Sequence, residues 1–386
     1  MAELEIGIGK SGRRAYGFDD IAIVPSRRTR DPDDIDISWD IDAYHFELPL
    51  LASAMDGVVS PRIAIELGRL GGLGVLNLEG LWTRYTDPDA VYGEIAGLPD
   101  AEATKRMQEI YREPVQPELI GRRVEEIKEA GVVAAASLTP QRVERYHQFA
   151  LDAGLDILVI QGTVVSAEHV SSSSEPLNLK TFIARYDLPV LVGGCASYST
   201  ALHLMRTGAA GVLVGVGPGA ACTTRGVLGI GVPQATALAD AAGARTRHLE
   251  ETGRYVQVIA DGGMRTGGDV AKAIACGADA VMLGSPLARA VEAPGRGYHW
   301  GMATFHPDLP RGTRVRTATL GTLKEILLGP APVNNGTMNL FGALRTSMAT
   351  CGYQSVKEFQ KAEVMVAPTL QTEGKLLQRS QGVGMG

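Results

Sequence analysis

Aromatic residues are scarce, 5% of a 386-residue chain that is 45% hydrophobic, so any interior has to be built from aliphatic side chains. A chain of this length can bury such a core as one large domain or two ordinary ones. No hydrophobic run approaches the length of a membrane span, and the opening residues, MAELEIGIGKSGRRAYG, lack the apolar centre of a signal peptide. The expectation is a cytoplasmic protein without a membrane partner. Cysteine is rare as well. Cys195, Cys222, Cys276 and Cys351 stand far apart without paired spacing, which argues against a disulfide framework and a zinc site and fits a reducing compartment. Positive charge is not in excess, since the formal net charge is -6. Non-specific nucleic-acid binding is therefore not expected, and an anionic ligand has to be held by local amides and single basic residues.

Glycine is plentiful, with 47 residues concentrated at the ends of short apolar runs. Eight such runs occupy 48–55, 72–78, 132–138, 157–162, 189–194, 211–217, 256–263 and 280–285. They alternate with helix-period segments such as 61–70, 124–130, 199–207 and 269–276. Strands apolar on both faces, alternating with helices and eight in number, predict an α/β fold, a parallel (β/α)8 TIM barrel. An open doubly wound sheet shares the alternation, but the glycine fingerprint of a dinucleotide site is missing.

The loop at 215–225, GVGPGAACTTR, follows the sixth run. Gly215, Gly217 and Gly219 let backbone groups converge on a ligand, and Cys222 sits at the mouth of that nest. Its thiolate would be a strong nucleophile there, with Arg225 and the loop amides as the groups to stabilise it. A lone cysteine in a tight turn can also be mere packing. The glycine density and the two threonines after it point to chemistry. Barrel active sites lie at the C-terminal strand ends, often with a phosphate held after strands seven and eight. Those two ends read Asp261-Gly262-Gly263 and Gly284-Ser285, so a nucleotide phosphate with Asp261 on its ribose is the expected ligand.

The connection over 80–130 is too long for a simple crossover and too short for a domain of its own. Extra helices are expected at 87–95, with Asp87 as cap and Pro88 in the first turn, and at 101–113. Residues 13–42 read as an extended arm, 171–174 as a solvated loop, 339–348 as a closing helix and 367–386 as a mobile tail. The segment 296–332, rich in basic residues, glycine and proline, reads as a flap over the barrel mouth. The expected division is a single catalytic domain over 1–366 followed by that tail.

GVGPGAACTTR with GVPQATALADAA, ADGGMRTGGDVAKAIACGADAVMLGS, GFDDIAIVPS and LPLLASAMDGV resembles the IMP dehydrogenase and GMP reductase family, across about 17–366. It looks most like the compact bacterial subfamily without the paired CBS module, for which 80–130 has no room. The resemblance implies that Cys222 attacks position 2 of a purine nucleoside monophosphate to form a thioimidate. It further implies carbonyls of Gly217, Gly219 and Cys222 on a monovalent cation such as potassium, with Gly219 also at the nucleotide. Asp261 would hold the ribose, Gly262, Gly263, Gly284 and Ser285 the phosphate, and Gly301 and Met302 the base. Ser53 and Met55 would line the pocket, and Gln161, Gly162 and Thr163 would face an NADPH or NAD cofactor. A homotetramer is implied, with residues 373–374 near a neighbouring subunit's cation loop.

The two branches of the family differ after the thioimidate. Residues 303–330 hold no Arg-Tyr pair of the kind with which the dehydrogenase activates water, whereas Thr224 and Glu325 supply a reductase-like pair and 328–330 a reductase-like ending. GMP reductase is therefore the first expectation. IMP dehydrogenase, with Arg314, Arg316 or His306 as another base, is the alternative. Residues 311–316 could instead hold the extra phosphate of NADPH or form a solvated face. Four departures from the family pattern motivate a third reading, a nucleotide-binding oligomer without catalysis. They are Asn77-Leu78-Glu79-Gly80 without the usual lysine, Ala220 for a serine, Gln161 for an aspartate and Cys195 for an asparagine.

Overall fold

Parallel pairing of the eight runs closes a barrel in the computed structural model, which describes residues 3–170, 176–301, 314–367 and 374–383. The strands are β1 (Leu50–Ala52), β2 (Leu73–Asn77), β3 (Ala135–Leu138), β4 (Ile157–Gln161), β5 (Val190–Cys195), β6 (Gly211–Val214), β7 (Gln257–Asp261) and β8 (Ala280–Leu283). Each pairs with its chain neighbours, and β8 returns to β1 through Val281↔Leu50 and Leu283↔Ala52.

Successive residues of a strand point to opposite faces, and here both faces are dry. Leu51, Val75, Val159, Leu191, Leu213, Ile259 and Met282 fill the interior. Their neighbours Leu50, Leu76, Leu158, Val192, Val212, Val258 and Val281 pack outward. A hairpin, Trp39–Ile41 with Tyr44–Phe46, adds Trp39, Ile41 and Phe46 to the inner cluster. It plugs the end where strands begin, since Gln257 Nε2 donates to the Asp40 carbonyl at 2.7 Å.

Helices cover the outer face. Pro61–Arg69 starts where Ser60 accepts the Ile63 amide at 3.1 Å, and Gly267–Ala275 starts at a capping box of Thr266 and Asp269. The helix expected at 124–130 is the second half of Pro117–Glu129, because Pro117 opens it a full two turns earlier. The inserted helices run Asp89–Gly97 and Asp100–Ile110. Pro88, not Asp87, holds the N-cap position of the first, and Asp87 accepts the Asp89 amide at 3.1 Å from one residue further out. The closing helix is Leu340–Thr350. The arm does pack on the core, through Phe18 and Ile21, and its strand Ile21–Ile23 pairs with Val364–Val366 from the other end of the chain. The tail carries a helix at Lys375–Gln381. The serine run 171–174 lies outside the described residues. No helix among them is long and apolar enough to cross a membrane.

Below the barrel, Asp279 is a buried ionic hub. Its carboxylate accepts Arg245 Nη1 at 2.8 Å, the Val258 amide at 2.7 Å, Tyr255 Oη at 2.7 Å, Gln360 Nε2 at 2.8 Å and Lys357 Nζ at 2.5 Å. Burial alone would push this carboxyl up, but Arg245, Lys357 and the Val258 amide outweigh it and hold it below the usual range. Asp279→Asn is expected to cost about 3 kcal/mol in urea unfolding, because two cations lose their buried counter-charge. The depressed value also fixes a sign: the loss should be full at neutral pH and shrink as the pH falls below the carboxylate range. An unfolding free energy equal to wild type at neutral pH would contradict it.

Candidate active site

The strand ends surround one cavity of about 400 Å³. Ser53, Met55, Gly217, Gly219, Cys222, Thr224, Asp261, Gly262, Gly263, Gly284, Ser285, Gln161, Gly162, Thr163 and Gly301 all line it. Met302, His306 and Arg311 lie outside the described residues, as does Glu373.

The cysteine loop is shaped by glycine where no other residue fits. Gly217 has φ +78, and a Cβ on it would sit 2.6 Å from Arg225 Cγ. Arg225 therefore packs beneath the loop, with its guanidinium donating to the Val232 carbonyl at 2.8 Å. That contact makes it a brace of the loop and corrects the expectation that it attends the thiol. Cys222 is exposed to the cavity, and its Sγ lies 3.1 Å from Thr224 Oγ1, a side chain that is itself buried. The Cys222 amide donates to the Gly219 carbonyl at 3.0 Å.

Across the cavity, Gly262 and Gly263 both take left-handed angles, φ +77 and +83, and a Cβ on Gly263 would lie 2.9 Å from Pro218. The turn after β7 thus rests directly on the cysteine loop. The Gly262 amide is taken by the Met282 carbonyl at 3.2 Å. The amides of Gly263, Gly284 and Ser285 make no backbone bond among the described residues, which leaves them for an anion. Ser285 Oγ lies 2.7 Å from His299 Nε2. Burial pushes the His299 imidazole down to about 4, against a backbone contact with Val315, so it is neutral at physiological pH.

Asp261 accepts Gln161 Nε2 at 2.9 Å. Burial pushes its carboxyl up to about 7, and the Gln161 bond works in the other direction. Gln161, expected at a cofactor, lines the cavity and spends its side-chain amide on Asp261. The far wall carries Asn77, Glu79, Ser137, Leu138 and Thr139. Glu79 is buried, accepts the Thr139 amide at 2.7 Å and pairs with Arg142 at 3.3 Å.

Glu325 is not brought to the cavity. It closes a capping box at the start of Leu323–Leu328, where its carboxylate accepts the Thr322 amide at 2.7 Å and the Thr322 hydroxyl at 2.9 Å. Those bonds hold the carboxyl below its ordinary range. The structure therefore separates the expected Thr224 and Glu325 pair. Arg314 is also engaged elsewhere, on the carbonyls of Ile95 and Leu98. Ser137 and Thr139 were not singled out from sequence, and His299 stood out only as part of the flap segment 296–332.

A family model of IMP dehydrogenase / GMP reductase domains matches residues 15–305. The chain belongs to the IMP dehydrogenase / GMP reductase domain family. A protein of Mycobacterium tuberculosis (strain H37Rv) named only as an uncharacterized oxidoreductase is 52% identical, over 94% of this chain and 99% of its own length. The IMP dehydrogenase of Methanocaldococcus jannaschii is 29% identical over 94% of each chain. A crystal structure of an IMP dehydrogenase/GMP reductase-like protein from Corynebacterium glutamicum superposes with a TM-score of 0.89 at 47% identity, over 94% of this chain and 97% of that one. The chain is thus an oxidoreductase-family barrel in its compact form.

In this family member the Asp261 carboxyl has a testable signature. A carboxyl raised from 3.8 to about 7 keeps a proton that the unfolded chain releases. Its stabilising contribution is complete at low pH and is lost as the pH rises through about 7. Melting temperatures of wild type should accordingly fall relative to Asp261→Asn between about pH 4 and about pH 7. Parallel curves for the two proteins would refute the raised value.

Proposed function

We propose that this chain is an oxidoreductase of purine nucleoside monophosphates acting through a Cys222 thioimidate, in the reductive direction. The reaction is GMP, NADPH and two protons to IMP, ammonium and oxidised coenzyme. The observation that carries the reading is the meeting of Cys222 and Thr224 with Asp261 and the two glycine turns around one cavity. In this reading the amides of Gly263, Gly284 and Ser285 take the phosphate and Asp261 the ribose. Ser53, Met55, Gly219 and Gly301 border the base.

Cys222 Sγ bonds to C2, with Thr224 Oγ1 at 3.1 Å as the group that handles the thiol proton. The exocyclic amine leaves as ammonia, which a second proton converts to ammonium. A bound nicotinamide coenzyme supplies the hydride that C2 receives. The C–S bond then breaks, and Cys222 recovers its thiolate as IMP departs. Beside the Glu79–Arg142 pair, Ser137, Leu138, Thr139, Gly162 and Thr163 form a stretch of wall that bears hydroxyls, a character that fits a nicotinamide and its carboxamide. Gly217, Gly219 and Cys222 offer carbonyl oxygens, the donor type a potassium ion takes. The reading includes a cytoplasmic homotetramer with one catalytic domain over 1–366 and a short tail.

Oxidation of IMP with NAD and water is a second reading, favoured by the 29% identity to IMP dehydrogenases. It requires a base for the water. Among the described lining groups Glu79 is paired with Arg142 and His299 is bonded to Ser285, which leaves Asp261, raised to about 7, as the candidate base for that reading.

Nicotinamide absorbance in two mixtures with potassium, GMP with NADPH and IMP with NAD, separates the readings. The first should lose absorbance, and Cys222→Ala should lower the rate at least ~10³-fold. Thr224→Val should lower it by about 10²-fold, as loss of a proton-transfer group does. A signal in the second mixture alone would replace reduction by oxidation. Silence in both, with nucleotide binding seen by calorimetry, would leave a binding protein.

A further inference from the structure

His299 and Gly301 reach the cavity from a short strand, Tyr298–Trp300, that pairs with Arg314–Arg316. That strand sits against a steric stop on one side. A Cβ on Gly57 would lie 2.8 Å from His299 Cα and 2.9 Å from the Tyr298 carbonyl. A Cβ on Gly301 would come within 3.2 Å of the Ala221 carbonyl, so the strand also leans on the cysteine loop. It can shift only away from these contacts.

Polar tethers from the inserted helices oppose such a shift. Trp300 is fully buried, and its indole N–H donates to Tyr111 Oη at 2.7 Å. Tyr111 donates to Asp56 Oδ2 at 2.6 Å, beside the Leu81 amide at 2.8 Å, and Tyr92 donates to the Asp56 carbonyl at 2.7 Å. Asp56 directly follows Met55 of the cavity wall. On the paired strand, the Arg314 side chain is 3% exposed and donates to the carbonyls of Ile95 at 2.5 Å and Leu98 at 2.8 Å. Its guanidinium lies 4.2 Å from the centre of the Tyr298 ring. Tyr92, Tyr111, Trp300 and Arg314 do not themselves line the cavity.

We infer that the inserted segment 81–111 positions the nucleotide site. Through Tyr111 on Trp300 and through the Ile95 and Leu98 carbonyls on Arg314, it fixes His299 against Ser285 and Gly301 against Ala221, and thereby sets nucleotide affinity. Tyr111 and Arg314 are positioning residues, since each acts through a neighbour. The inference rests on the nucleotide reading of the cavity.

Calorimetric binding of GMP and IMP, with melting temperatures alongside, tests it in the full chain. Tyr111→Phe and Arg314→Met should each weaken nucleotide binding roughly 5- to 10-fold, the order expected of a small misplacement outside the chemistry. At saturating nucleotide, turnover should stay within about two-fold, because Cys222 and Thr224 sit on another loop. Met107→Ala removes apolar bulk from the same cluster without touching a tether. It should lower the melting temperature and change affinity by less than about two-fold. Affinity that is flat in both tether variants, or that follows melting temperature in all three, overturns the inference while leaving the nucleotide reading intact. Wild type that binds neither nucleotide sinks both. Arg314→Met carries the test alone if Tyr111→Phe does not fold.

Discussion

The ends of β5, β6 and β7 meet backbone on backbone, and the site depends on that contact. A Cβ on Gly194 would lie 2.5 Å from the Gly215 carbonyl, and one on Gly215 would overlap the Asp261 carbonyl. With no side chains between them, the cysteine loop lies immediately over the turn after β7. Pro218 touches Gly263, and Cys222, Asp261 and the free turn amides come to share one cavity. The geometry is inherited from a closed barrel whose strands are buried on both faces, and Arg225 braces the cysteine loop from beneath. This is the physical reason glycine gathers at strand ends in this sequence.

Burial then sets the charge of the cavity. It drives His299 down to about 4, which leaves the imidazole neutral near physiological pH, and Asp261 up to about 7, which leaves that carboxyl only partly ionised. Glu79 is matched by Arg142. In the proposed reading, a phosphate at Gly263, Gly284 and Ser285 meets amides that make no backbone bond among the described residues and a neutral imidazole. A partly protonated Asp261 can both donate and accept a hydrogen bond. A cavity that excludes water makes each such dipole count for more than it would in solvent.

The barrel was legible because short aliphatic runs, apolar on both faces and alternating with helical segments, have few other uses. The run at 211–217 divides as a strand to Val214 and the loop beyond it, where glycine and proline take over. Glu325 is held away from the cavity, for a cause written locally. Thr322-Leu323-Lys324-Glu325 ahead of Ile326 spells a capping box, which commits that carboxylate to its own helix. Asp56 left no such trace. It is one acid in LASAMDGV, and its partners Leu81, Tyr92 and Tyr111 come from far along the chain. His299 is silent for the same reason, since its meaning comes from Ser285 across the barrel mouth.

Scarcity of aromatic residues sharpens what the inserted segment does. Of three tryptophans in the chain, Trp82 and Trp300 both belong to the cluster that joins this segment to the rim strand, with Tyr85, Tyr92, Tyr111 and Tyr298 beside them. Aliphatic side chains would have filled that volume as well, as they do throughout the barrel. A ring with a polar tip does something more, filling space while its hydroxyl or indole N–H holds a fixed partner. Tyr111 uses both ends of that capacity at once, accepting from Trp300 and donating to Asp56. An aliphatic contact there could slide at little cost, whereas displacing the strand would leave the buried Trp300 N–H and the Arg314 guanidinium short of acceptors. The concentration of aromatics at this one junction is what positional control requires and what packing alone does not.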